Sequence, residues 1–354
     1  MTTCIVTGGA GFIGCATSSL LADRFDRVVA LDVLHPAVHA VAQRPAALDP
    51  RVELRTGDVT DAGAWDALLA DARPDVVLHL AAETGTGVSL TEATRHAHVN
   101  VVGTAQMLDA LVRHDALPSA VVLTSSRAVY GEGAWVRDGV PLVVGQRSRA
   151  QLERQEWQPA DAEPRPHRAD LVQPRPTSVY GATKLAQEHV LGAWALAMGV
   201  TPVVLRLQNV YGPGQSLTNP YTGIVPLFAR TARDGKVVPV YEDGAIVRDF
   251  VHVTDVAAAV AAAVDAMTTG GALPDGPVDI GSGVPTTVLE LARTVAGYYG
   301  APDPVVTGQF RDGDVRYACA DPSAAAGLWG WRPTVDVADG VRGLCAWIDE
   351  GSAA

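Results

Sequence analysis

The chain has 354 residues, 48% of them hydrophobic and 19% charged, which excludes a disordered segment and leaves room for a large core or two domains. Its 39 acidic residues against 27 basic ones argue against nucleic acid as a partner, so an anionic ligand needs locally placed arginines. The four cysteines, Cys4, Cys15, Cys319 and Cys345, form no CxxC pair, so neither a disulfide framework nor a metal site is expected.

In chain order, the apolar stretch Cys4-Ile-Val6 leads into Thr7-Gly-Gly-Ala-Gly-Phe-Ile-Gly14 and then a helical pattern over 12–22. Gly8 allows a tight turn, Gly11 lets the backbone approach phosphate, and Gly14 lets helix and strand pack closely; the pattern predicts a dinucleotide pyrophosphate on a helix N-terminus. Further branched apolar runs at 28–31, 52–55, 76–80 and 120–124 alternate with helical patterns at 62–70, 96–113 and 180–198. Such alternation predicts a Rossmann-type, doubly wound α/β fold with a parallel sheet, its ligands at the carboxyl ends of the strands. Asp32 ends the second strand, eighteen residues past Gly14, where a carboxylate accepts from both ribose hydroxyls of NAD and repels the 2′-phosphate of NADP. NAD is therefore the expected cofactor.

Residues 132–176 are rich in Pro, Arg and Glu and show little hydrophobic period. A solvated surface excursion is the expectation, with a lid over the substrate, anchored by Trp135 and Trp157, as the second reading. Tyr180 and Lys184 are four residues apart and share one helix face. A tyrosine titrates near about 10, and a neighbouring ammonium together with the nicotinamide charge would make its phenolate a usable base. Ser125-Ser126, at the end of the preceding strand, adds a hydroxyl able to polarise a carbonyl. After 203–207 the alternation weakens; helices at 224–234, 255–267 and 287–299 among loops suggest a smaller mixed C-terminal substrate lobe. The expected division is 1–205 for the NAD-binding domain, with the 132–176 insertion and returns near 245–260, and 206–354 mainly for substrate. No signal peptide is visible and the apolar run 256–264 is too short to span a bilayer, so a cytoplasmic protein with no membrane partner is expected.

These motifs together resemble the extended short-chain dehydrogenase/reductases of the nucleotide-sugar epimerase/dehydratase family, over nearly the whole length. The likeness rests on Thr7–Gly14, Gly57-Asp58-Val59, His79-Leu-Ala-Ala82, Asn100-Val-Val-Gly-Thr104, Ser125-Ser126-Arg-Ala-Val-Tyr-Gly131 and Tyr180–Lys184. It continues through Leu205-Arg-Leu-Gln-Asn-Val-Tyr-Gly-Pro-Gly214, Arg248-Asp-Phe-Val-His-Val253, the turn Gly281-Ser-Gly283 and Arg311-Asp-Gly-Asp314. By that resemblance, Phe12 and Ile13 join the glycines at the cofactor, Asp58 and Val59 contact adenine, Leu80, Ala81 and Ala82 line the cofactor path, and Asn100 braces the sheet beside the active site. Arg248 and Arg311 match the family's pyrophosphate-binding arginines and Asn209 its phosphate-contacting asparagine, with Arg127 and Asp314 also on the substrate side. Arginine's fork suits such oxygens.

Family dehydratases carry Asp-Glu after the catalytic hydroxyl and decarboxylases a Glu; Arg127-Ala128 stands here. The resemblance then implies 4-epimerisation of a nucleotide-diphosphate sugar through a transient 4-keto sugar. Tyr180 takes the C4 hydroxyl proton, Ser126 hydrogen-bonds the oxygen, and Lys184 holds Tyr180 and the nicotinamide ribose. A narrower likeness, to the dTDP-L-rhamnose 4-epimerase group, rests on Leu34-His-Pro36, Ser126–Gly133, the long run Asn209–Gly223 and Glu242-Asp-Gly with Arg248–Val253. Members of that group often carry a cysteine-rich insertion, whereas residues 157–176 hold only His167 as a ligand of that kind. A UDP- or ADP-linked hexose, hexuronic acid or heptose is the alternative substrate. A nucleotide-sugar reductase or dehydrogenase, or a non-catalytic NAD-sensing protein, are the alternative functions. The family also implies a homodimer through the 96–113 and 180–198 helices.

Overall fold

The structure, a computed structural model, describes residues 1–39, 41–217 and 223–352. The branched apolar runs form seven strands: β1 (Thr3–Thr7), β2 (Arg27–Asp32), β3 (Glu53–Thr56), β4 (Val76–His79), β5 (Ala120–Ser126), β6 (Thr201–Leu207) and β7 (Val278–Ile280). They pair in parallel in the order β7-β6-β5-β4-β1-β2-β3. Every residue of β1, β4 and β5 is buried, because helices cover both faces of the sheet. Alternate residues serve opposite cores. Cys4, Val6, Val28, Ala30, Leu78 and Val122 pack with Leu21 of α1 (Phe12–Ala22) and with Val256, Val260 and Val264 of the helix Val253–Thr269. Ile5, Val29, Leu31, Val77, Val121 and Leu123 pack instead with Trp65, Met107, Leu111 and Leu191. The order reverses beside β1 and β4, so the ends of β1, β4 and β5 open onto a common crevice.

A third core, built on Tyr211, Phe228, Val240, Phe250, Leu291, Leu344 and Ile348, holds the smaller lobe. Its mixed sheet pairs Asn209–Tyr211, Pro285–Thr287 and Tyr317–Ala318 with the strand Val247–His252. The helix Val288–Tyr299 of this lobe starts on a capping box, Thr287 with Glu290, and ends on Gly300 at φ +60. The helices Ser323–Trp329 and Val337–Ser352 complete the C-terminal part and were not foreseen from periodicity.

The insertion corrects the expectation of a solvated excursion. Residues Ala134–Arg137, Val140–Leu142 and Glu163–Arg165 form a three-stranded antiparallel sheet, with the helix Arg149–Glu153 between its second and third strands in the chain. Trp135, Leu152 and His167 are buried, as are Glu132 and Arg147. Strands of three or four residues are too short to show a period, and much of what this segment buries is polar, so pattern reading finds no core there.

Candidate active site

The glycine turn closes against the end of β4. Gly8 has φ +65 and a Cβ there would lie 2.8 Å from the Ala81 nitrogen. At Gly14 it would lie 2.4 Å from the Gly9 carbonyl oxygen, so α1 reaches the turn only because no side chain intervenes. Gly11 is the N-cap of α1 and offers no side-chain acceptor, which leaves the first-turn N–H groups beside Phe12 and Ile13 directed at the crevice. Asp32 stands at this mouth, its carboxylate steadied by the Ala10 N–H (3.0 Å) and the Leu34 N–H (2.9 Å). Asp58 accepts from the Thr60 N–H and hydroxyl, both at 2.8 Å, next to buried Val59. Leu80, Ala81 and Ala82 leave β4 half-buried, and Ala81 N–H donates to the Thr7 hydroxyl. A bare helix N-terminus, glycines where a Cβ would obstruct and a carboxylate at the end of β2 fit a dinucleotide.

Asn100 lies in a π-helical stretch, Ala97–Val102, that interrupts the helix running from Ala93 to Arg113. Fully buried, it accepts from Glu83 N–H (2.8 Å) and donates to Glu83 carbonyl (3.0 Å) and to the Thr183 hydroxyl (2.9 Å). Its side chain thus ties the chain after β4 to the helix Val179–Met198.

Ser126 ends β5 and accepts the Ala128 N–H at 3.2 Å. Its hydroxyl lies near the phenol of Tyr180, in the first turn of the helix Val179–Met198. The approach depends on Gly181, where a Cβ would sit 2.4 Å from the Ala128 carbonyl oxygen. Burial holds the Tyr180 phenol above its ordinary pKa, while the Ser126 hydroxyl and the Arg127 charge pull it back down. Lys184, one turn on and buried, is lowered to about 7 by desolvation, with the Glu188 carboxylate opposing the drop.

Arg127 joins this group to the anion side. Its Nε donates to Asn209 Oδ1 at 2.8 Å, and its pKa is lowered to about 9 by burial and then by the neighbouring charge of Arg248. Arg248 is buried and paired with Asp314. Two neighbouring guanidinium groups, of which Arg248 alone is ion-paired to Asp314, form a seat for an anion. Arg311 is not packed into this cluster; it is exposed, with its guanidinium 5.1 Å from the Tyr241 ring, and is linked to Asp314 through a turn closed by Asp314 N–H to Arg311 carbonyl at 3.3 Å. Of the run Asn209–Gly223, residues 218–222 lie outside the described residues.

Two buried networks under the site escaped sequence reading. His79 bridges Thr7 (2.6 Å) and Thr104 (2.9 Å), and Gln187 donates to Thr104 at 2.8 Å. Desolvation and the nearby Lys184 lower His79 to about 3, so it is a neutral strut. Behind Ser126, Ser125 donates to Glu188, Arg206 grips Glu188 at 3.0 and 2.7 Å, and Tyr130 links Arg206 to Asp279. The signal available was polar residues, Thr183, Gln187 and Glu188, on the same helix as Lys184 and in its apolar surroundings.

The reversed sheet, the bare glycine turn and the Ser–Tyr–Lys group define a dinucleotide-dependent enzyme of the short-chain dehydrogenase/reductase type. The chain belongs to the NAD dependent epimerase/dehydratase family, whose pattern it matches over residues 4–275, and NAD is its cofactor. It is 57% identical over 345 residues to a dTDP-L-rhamnose 4-epimerase of Burkholderia thailandensis, covering 97% of this chain and 94% of the relative. It is 32% identical to a dTDP-glucose 4,6-dehydratase of Actinoplanes sp., over 97% and 96% of the two chains. Among solved structures, a UDP-glucose 4-epimerase of Thermotoga maritima with UDP-glucose superposes with a TM-score of 0.80 at 26% identity, over 99% of this chain and all of the other. A Thermus thermophilus UDP-glucose 4-epimerase in complex with NAD gives 0.76 at 29% identity, over 98% and 99%.

Proposed function

We propose that the protein interconverts dTDP-L-rhamnose and its C4 epimer. The observation that carries this reading is Arg127 at the end of β5, beside Tyr180 and within reach of Asn209, where relatives that eliminate water carry acids. With a guanidinium there, no group on that turn is available to protonate a leaving hydroxyl. Oxidation at C4 followed by reduction is the chemistry that remains. The likeness to the Burkholderia enzyme over nearly the full length supports the sugar and the base.

In this reading Tyr180 accepts the C4 hydroxyl proton and later returns it. Ser126, beside Tyr180, orients the same oxygen. Arg127 supplies positive charge that makes a buried phenolate tolerable, and Lys184, one turn on, would hold Tyr180 and the nicotinamide ribose. Bound NAD supplies a hydride acceptor that becomes the donor in the return step. Gly8, Gly11 and Gly14, with Phe12 and Ile13, hold its pyrophosphate, Asp32 its ribose, and Asp58 and Val59 its adenine. Asn209, Arg248 and Arg311 hold the substrate diphosphate while the keto sugar turns over between the two hydride transfers.

We read residues 1–205 as the cofactor part and 206–354 as mainly the substrate part of a cytoplasmic homodimer. Exposed Val102, Val112, Leu196 and Met198 on the two helices named above support that dimer. No described helix is long and apolar enough to cross a membrane.

The test is incubation of the purified enzyme with dTDP-L-rhamnose and NMR of the C4 configuration, with dTDP- and UDP-hexoses in parallel. A dTDP-6-deoxy-L-talose product is expected without net NADH. Accumulating NADH would make the protein a dehydrogenase, and turnover confined to UDP-sugars would move the substrate. Tyr180→Phe is expected to lower kcat by roughly 10²- to 10⁴-fold while NAD still copurifies; full activity would remove Tyr180 from the chemistry.

A further inference from the structure

The insertion and the anion-binding turn are joined by a charge cluster whose centre is buried. Arg147, in the insertion, is buried, and so are Glu132, Glu242 and Arg316 around it. Its Nε donates to Glu132 at 3.1 Å, its Nη1 lies 2.8 Å from a Glu242 carboxylate oxygen, and its Nη2 donates to the main-chain carbonyl of Asp314 at 2.8 Å. Glu132 in turn accepts the Arg316 N–H at 2.9 Å, and Arg316 pairs with Glu242 at 3.0 Å and with Asp243 at 2.7 and 2.8 Å. Glu242 also holds the approach to the turn, since its N–H donates to Gln309 carbonyl at 2.7 Å. The far side of the turn is held from the insertion as well. Trp157 packs on Phe310 with ring centres 6.5 Å apart, and Arg149 pairs with Asp312 at 2.9 Å.

Residues 309–316 are thus gripped at 309, 310, 312, 314 and 316, by the insertion directly or through Glu242, and Asp314 meets Arg248 from this mounting. A buried ion cluster of this kind is weak as a source of stability but strict about geometry. We propose that the insertion is the fixed wall of the diphosphate site, with Arg147 the positioning residue that sets the Arg311–Asp314 turn against Arg248. The inference rests on the nucleotide-sugar reading and extends it. The insertion does not swing over the sugar; it determines where the second phosphate is gripped.

The test uses NAD-loaded enzyme and two probes, dTDP and dTMP, which differ by the phosphate in question. Removing Arg147 alone would strand buried carboxylates, so the variant is Glu132→Gln with Arg147→Met, which neutralises Glu132 together with its partner and leaves Glu242 paired with Arg316. Calorimetry is expected to show dTDP weakened by roughly tenfold or more and dTMP by less than about twofold. KM for the sugar nucleotide rises with kcat little changed, and Glu132→Gln with Arg147→Lys recovers part of the loss. Trp157→Ala, at a half-buried site whose carbonyl meets Arg147 (3.1 Å) but whose side chain is outside the ion cluster, is expected to weaken dTDP in the same selective way and serves if the double variant does not fold. Equal loss of both probes, or unchanged dTDP affinity in Trp157→Ala and the double variant alike, overturns the positioning role. A wild-type enzyme that binds neither dTDP nor UDP overturns the nucleotide-sugar reading, and this inference with it.

Discussion

Tyr180 works against its own surroundings: packing favours the neutral phenol, and the groups that favour phenolate are few and named. Arg127 is one of them. Arg127→Gln is therefore expected to move the acidic limb of kcat against pH to higher pH, because less positive charge opposes the rise caused by burial. A limb that stays in place would mean that Lys184 and the cofactor alone set this titration. Lys184 also leaves a mark on stability. Its pKa falls from 10.5 to about 7 on folding, so between those values the unfolded chain binds the extra proton. Stability then rises with pH through that window and the contribution is lost as pH falls through about 7. In NAD-free protein, Lys184→Met is expected to flatten the urea-derived stability curve between about pH 7 and 10, and an unchanged slope would count against a buried, neutralised lysine. The Tyr180–Lys184 spacing and Asp32 were legible because each is local to one element. The partners His79, Glu188, Arg206 and Asp279 were not, since Glu188 meets Ser125 across 63 residues and Tyr130 meets Asp279 across 149. No spacing rule spans such distances.

The elements of the first half follow their patterns closely. The helix expected at 12–22 is Phe12–Ala22, and that expected at 180–198 is Val179–Met198, opened by Ser178, which accepts the Gly181 N–H. What periodicity could not convey is how near two elements come. Gly181 lets the helix Val179–Met198 rest on the turn after β5, and Gly181→Ala would force Tyr180 away from Ser126. A displacement on the order of 1 Å is expected to cost about 100-fold in kcat, with NAD content and the circular dichroism spectrum preserved. Wild-type kcat in that variant would show that the helix yields without harm. The insertion was illegible for the opposite reason. Its strands are short and its interior charged, so it reads as surface even though Arg147 and Glu132 are as buried as core leucines.

At the scale of the molecule, the chain leaves the central sheet after β6, builds part of the lobe, and comes back to add β7 at the edge before completing it. Asp249 sits where these paths meet. Fully buried, it accepts from the Ser282 N–H and hydroxyl at 2.7 Å each, from Gly283 N–H at 3.0 Å and from Ala320 N–H at 3.1 Å. Asp249→Asn turns an amide donor toward donors already in place. It is expected to cost about 3 kcal/mol and lower the calorimetric midpoint by several degrees, and a midpoint unchanged within error would deny Asp249 its linking role. Gathering of this kind, with one carboxylate serving residues 33 and 71 positions away, is also why the α/β alternation of the first half could be read while the lobe's sheet could not.

The charges around Arg147 belong to three stretches of chain: 132–147, 242–243 and the loop ending at Arg316. Anyone seeking to retarget this scaffold by grafting must therefore treat the three as one cassette. A foreign insertion transplanted alone would arrive without the acceptors its cations require, and the recipient loops would be left holding unmatched acids. Exchanged together, they bring every charge with its own partners.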